Sequence, residues 1–287
     1  MAESPSHRFG QIIGGLLESA IRPLLEQVAE QHKLYLDAKR PRKARGDKSK
    51  VAWTDAKGNT HDLDYVLEMG GTEETIGSPK AFVEIAWRRY TKHSRNKAQE
   101  IQGAIVPLAE RYADAHPFLG VVLAGVFTEG SLAQLRSLGF QVVYFPYESV
   151  VVAFAAEGID AAFDEDTPDS HLARKVKQWE KLTVRKREHI AAFLRDRHRA
   201  DLEAFISALK VSLTRTIQSV YVLPLHGSPR TLGDVAEAIA FIEKFDESKP
   251  DAPFTRYEVG VRYSNGDEIR GQFKDKATVI AFLRGIR

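Results

Sequence analysis

Apolar positions along the chain switch between a three-to-four-residue spacing and a two-residue spacing, and the switches mark its elements. Residues 10–33 carry Ile12, Ile13, Leu16, Leu17, Ile21, Leu24, Leu25 and Val28 at helical spacing, which predicts an amphipathic first helix. Two strand-like runs, 51–54 and 61–67, flank the turn formers Asp55-Ala-Lys-Gly-Asn59 and predict a hairpin. Residues 81–87 form an apolar run of strand length broken by one carboxylate, Glu84. Ser94 predicts an N-cap, and Ile101, Ile105, Leu108 and Tyr112 continue from it as a helix that Pro107 kinks or shortens. A buried strand over 118–127, a short helix over 131–138 closed by Gly139 and a strand over 140–146 complete this half.

The order helix, hairpin, strand, helix, strand, helix, strand predicts an α/β fold with a mixed sheet and helices on its faces. Residues 171–217 are helical and highly charged, with Ile190, Phe193, Leu194, Leu202, Phe205, Ile206 and Leu209 as the apolar set. Beyond them come a strand over 219–225, a helix over 232–245, a hairpin over 257–263 and 268–273 turning on Asn265-Gly266, and a closing helix over 277–284. The expected division is a core over 1–168, a basic helical arm over 169–217 and a small α+β module over 218–287, with no internal repeat.

The chain's 287 residues suffice for an ample core, and the absence of Cys excludes disulfides and zinc-thiolate sites and suits a reducing compartment. No signal core or membrane-length apolar run is present, so a soluble, cytoplasmic protein without a membrane role is expected. Net charge is only +2, but it is blocked. Residues 38–50 hold seven bases against Asp47, residues 88–97 five bases and no acid, residues 174–199 ten bases against three acids, and residues 148–169 seven acids and no base. Such basic blocks around a carboxylate pair point to a polyanion partner.

Glu84 is the chemical anomaly. Val83 and Ile85 imply that both faces of its strand are covered, so an ionised carboxylate there must be paired, with Arg88 or Arg89 as partners, or must hold a cation. Asp62 and Asp64 alternate onto one face of the preceding strand. Two carboxylates from neighbouring strands suit a hard cation with oxygen ligands, Mg²⁺ above all. Lys97 interrupts the apolar stripe of the following helix and opposes the helix dipole in its first turn, a local rule broken without a structural reason. Glu100 and Gln102 share that helix. Glu18 reads as a surface residue of the first helix or as a further ligand. His61, His93 and His116 lack metal-ligand spacing, and no phosphate-binding loop, nucleophile elbow or dinucleotide fingerprint occurs, so no nucleotide cofactor is expected.

With Asp64 in the segment 61–68, Glu84-Ile-Ala86 next and a helix after it, the chain resembles the PD-(D/E)XK nuclease superfamily, the fold of many restriction endonucleases. The resemblance implies an α-β-β-β-α-β core, Mg²⁺ held by Asp64 and Glu84, and phosphodiester hydrolysis in DNA of restriction or defence type. It also implies a Lys where this chain has Ala86, a place that Lys97 or Lys92 would fill. Arg88, Arg89, Arg95, Lys39, Arg40, Arg42, Lys43 and Arg45 are the expected phosphate contacts, and a symmetric duplex target implies a homodimer. The rival expectation is a DNA-binding protein of the same fold, in a defence or repair assembly, whose catalytic site has decayed.

Overall fold

The computed structural model describes residues 4–248 and 253–286, which form two compact units, residues 1–111 with 118–210 and residues 112–117 with 211–287. In the first unit, helix α1 (Pro5–Gln31) starts at an N-cap, Ser4, whose hydroxyl accepts the His7 amide, and it buries Phe9, Ile13, Leu16, Leu17, Ile21, Leu25 and Val28. A strand that the spacing left unassigned, β1 (Leu34–Ala38), follows. The predicted hairpin forms as β2 (Val51–Thr54) and β3 (Thr60–Leu63), tied at its turn by Asp55, which accepts the amides of Lys57 and Asn59. It is a two-stranded sheet of its own. The chain turns at Asp64 and enters the main sheet as β4 (Tyr65–Met69), so residues 61–67 are two strands rather than one.

The main sheet takes the order β1-β4-β5-β6-β7, with β5 at Ser78–Arg88, β6 at Phe118–Gly125 and β7 at Gln141–Pro146. β4 runs antiparallel to both β1 and β5, and β6 and β7 add parallel to β5 through helices α2 (Thr91–Arg111) and α3 (Glu129–Ser137). The sheet is therefore mixed and flanked by helices. α2 begins three residues before the predicted cap: Ser94 is buried and donates its hydroxyl to the Thr91 carbonyl. The helix also runs through Pro107 to Arg111.

Helix α4 (Tyr147–Ala155), hidden in the acidic stretch, buries Val150 and Phe154. The basic segment is not a linking arm. α5 (Asp169–Glu180) and α6 (Val184–Arg197) pack on α1, bury Leu172, Val176, Ile190 and Leu194 and belong to the first unit, because each carries an apolar stripe that needs covering. α7 (Arg199–Thr214) buries Leu202, Phe205 and Leu209.

The second unit repeats one motif twice. β8 (Ile217–Pro224), β9 (Arg230–Leu232) and α8 (Val235–Lys244) form one ββα half, and β10 (Tyr257–Tyr263), β11 (Glu268–Phe273) and α9 (Lys276–Gly285) form the other. The inner strands β8 and β10 pair antiparallel. Asp234 and Asp275 cap the two helices in the same way, and Ile239-Ala-Phe241 and Ile280-Ala-Phe282 fall at equivalent turns, so the expectation of no internal repeat does not hold here. Among the described residues no helix is long and apolar enough to cross a membrane.

The end of β6 admits only glycine: at φ +102° a Cβ on Gly125 would lie 2.0 Å from the Arg88 carbonyl oxygen. Gly125→Ala is expected to lose at least about 2 kcal/mol in urea unfolding; an unchanged midpoint would contradict this packing.

Candidate active site

The centre of the main sheet carries the carboxylates. Tyr65 pairs with Val83 on β5, and Ala38 of β1 pairs with Tyr65. Lys39 directly follows Ala38, Asp64 directly precedes Tyr65 and Glu84 directly follows Val83, so the three residues lie next to one another where the ladders of β1, β4 and β5 end. Asp64 sits where the chain turns between β3 and β4, and its Oδ2 accepts the Ile85 amide at 2.7 Å. Asp62 does not join it. Its side chain is exposed and pairs with Lys50 at 2.5 Å, because the β2–β3 hairpin leaves the main sheet before the turn at Asp64.

Glu84 is 9% exposed. Its cation is neither Arg88 nor Arg89: Lys97 reaches from the second turn of α2 and places Nζ 3.3 Å from Oε1. Oε2 is buried and has no hydrogen-bond partner among the described residues. Burial first, and the charge of Asp64 second, raise the Glu84 carboxyl from its ordinary 4.5 to about 7, against the pull of Lys97. Burial likewise raises Asp64, opposed by the Ile85 amide, Lys97 and Lys39.

Glu18 on α1 belongs to the same electrostatic neighbourhood although its side chain reaches solvent. Partial burial and Asp64 raise its carboxyl, while Lys39 and Arg22 lower it. Among the described residues no group of three or more His, Asp or Glu side chains converges on one point as a metal cage. The donor set nevertheless fits a hard cation held by two carboxylates. It is all oxygen, and it contains a buried carboxylate oxygen with no other partner.

The remaining sequence-predicted residues separate sharply. Arg42 is fully buried; it pairs with Asp37 at 2.9 Å and Glu68 at 2.7 Å, and donates to the Thr72 and Thr75 carbonyls. Arg45 pairs with Asp37 at 3.0 Å and donates to the Arg40 carbonyl. Arg89 donates to the Phe163 carbonyl at 2.7 Å and lies 3.9 Å over the Tyr147 ring. These three guanidiniums are engaged by groups of the fold itself. Arg40 is engaged by Glu73 at 2.8 Å, and Lys43 faces Glu74 at 3.7 Å on the surface. Arg88 donates to the Trp87 carbonyl. Lys92 and Arg95 are exposed at the start of α2. Glu100 lies 3.7 Å from Lys97, and Gln102 accepts from Gln134 at 2.7 Å. His61 is held by Asp55 at 3.1 Å.

Two outcomes are expected. Between pH 4.5 and about 7 the folded state holds a Glu84 proton that the unfolded chain has released, so without divalent cation stability falls as pH rises through this window. Glu84→Gln removes that dependence and, above the window, gains up to about 3 kcal/mol, offset in part by the orphaned Lys97; urea titrations across the pH range check the sign. Arg42→Ala strands two buried carboxylates and should cost on the order of 3–5 kcal/mol, against under about 0.5 for Lys43→Ala. Searches of protein families, curated proteins and solved structures return no match for this chain.

Proposed function

We propose that the protein is a divalent-cation-dependent nuclease of the PD-(D/E)XK type that hydrolyses phosphodiester bonds in DNA. The observation that carries the reading is the contact of Lys97 with Glu84, beside Asp64 and with Glu84 Oε2 unpartnered. A lysine is missing at Ala86, and one comes instead from the next helix. The run α1, β1, β4, β5, α2, β6 also follows the α-β-β-β-α-β order that the resemblance implies, with β2–β3 inserted after the first strand.

Asp64 and Glu84 would hold Mg²⁺, and the chemistry a bound Mg²⁺ supplies there is neutralisation of phosphate charge and activation of water. The chain's own groups do the rest. The Ile85 amide fixes one oxygen of Asp64, so that carboxylate cannot swing out of place. Lys97 Nζ orients the attacking water and offsets negative charge as its oxygen bonds to phosphorus. Lys92 and Arg95 leave the same helix end exposed and free to grip flanking phosphates without reading sequence. A duplex cut on both strands would call for a homodimer with one site per strand.

Purified protein is expected to cleave plasmid DNA, unmodified or methylated, with Mg²⁺ and not with chelator. Asp64→Ala and Glu84→Ala should each lose at least about 10³-fold, and Lys97→Ala about 10²-fold, while Lys92→Ala stays within a few-fold. Cleavage retained by both carboxylate variants would overturn the site. Salt-sensitive duplex binding without cleavage by the wild type would move the assignment to a decayed nuclease.

A further inference from the structure

Lys39 is the one expected phosphate contact of the 38–50 loop that lies next to the carboxylate pair. Its neighbours are spent on structure: Arg42 and Arg45 are pinned by Asp37 and Glu68, and Arg40 by Glu73. Lys39 itself is exposed and, among the described residues, makes no hydrogen bond or ion pair. Its backbone is nevertheless fixed. Ala38 is the last residue paired with β4, and Arg45 clasps the carbonyls of Ala38 and Arg40 on either side of it, at 3.3 and 2.9 Å. Lys39 follows Ala38 directly, as Asp64 precedes Tyr65, the last pair of the β1–β4 ladder, and the Lys39 charge acts on both Asp64 and Glu18.

The carboxylate pair is thus flanked by two cations of unlike attachment. Lys97 is bonded at the Glu84 end, and Lys39 stands unbonded at the Asp64 end. Phosphoryl displacement needs opposite ends too, since the entering and leaving oxygens lie roughly in line through phosphorus. We propose that Lys39 is the catalytic residue of the leaving-group side. As the water oxygen bonds to phosphorus, the bond from phosphorus to the sugar oxygen breaks. Its electron pair stays on that oxygen, and the Lys39 ammonium supplies the proton that neutralises it. The proton lost by the attacking water passes to solvent, from which Lys39 is recharged, so the step is a balanced hydrolysis.

The proposal rests on the nuclease reading, and its test separates the two. The bond cut by the wild type is first mapped; a duplex carrying a bridging sulfur as leaving atom at that bond is then compared with the all-oxygen duplex, both in Mn²⁺. A thiolate leaves without a proton. Lys39→Met is expected to slow the oxygen duplex by about 10²-fold or more and the sulfur duplex by less than about threefold, whereas Lys97→Met slows both alike. Duplex affinity in chelator should change little in Lys39→Met, and its thermal midpoint should match the wild type because the side chain is exposed. Equal slowing of both duplexes, with weaker binding in chelator, would make Lys39 a backbone anchor and overturn the proposal; so would no slowing of either. A wild type that cuts neither duplex would overturn the nuclease reading and this inference together.

Discussion

The first unit is organised around a carboxylate that a sheet covered on both faces should not tolerate. Glu84 lies in the middle strand, next to a second carboxylate, with one oxygen held by Lys97 and the other by no hydrogen bond among the described residues. A buried charge of this kind is retained against a penalty of several kcal/mol unless neutralised, and here like charges are brought together rather than apart. Core packing gains nothing from that arrangement. Strain kept at this place in the sheet is what the proposed cation site would relieve.

The surrounding architecture keeps the carboxylates where they are. β4, paired antiparallel with β1 and β5, ends its ladders next to Asp64, and the turn there brings that side chain to the Ile85 amide. At the sheet edge Arg42 closes a buried ionic knot with Asp37 and Glu68 that holds the loop after β1 against β4. The knot is structural, but its consequence is local to the site, since the same loop carries Lys39.

The parts legible in the sequence were those with a strong local signal. Glu84 stood out because it interrupts an apolar run, and Lys97 because it interrupts an apolar stripe. The hairpin over Asn265-Gly266 followed from its turn residues. The first sheet strand was not legible, because five residues, Leu34–Ala38, carry too short a pattern to oppose the adjoining basic run. Nor could a charge run disclose its partners. Arg42, Arg45 and Arg89 resemble Arg95 in sequence and differ only in the carboxylates, carbonyls and rings that folding brings to them from distant segments. The ββα repetition escaped because little besides a capping Asp and an Ile-Ala-Phe triplet is shared by the two halves.

The claim that this carboxylate pair is a cation site is tested most directly by crystals soaked in Mn²⁺ and recorded at the manganese absorption edge. The account predicts an anomalous peak within coordination distance of both Asp64 and Glu84, absent from crystals of Glu84→Gln. A wild-type map without a peak there, with Lys97 still bonded to Glu84, would contradict it.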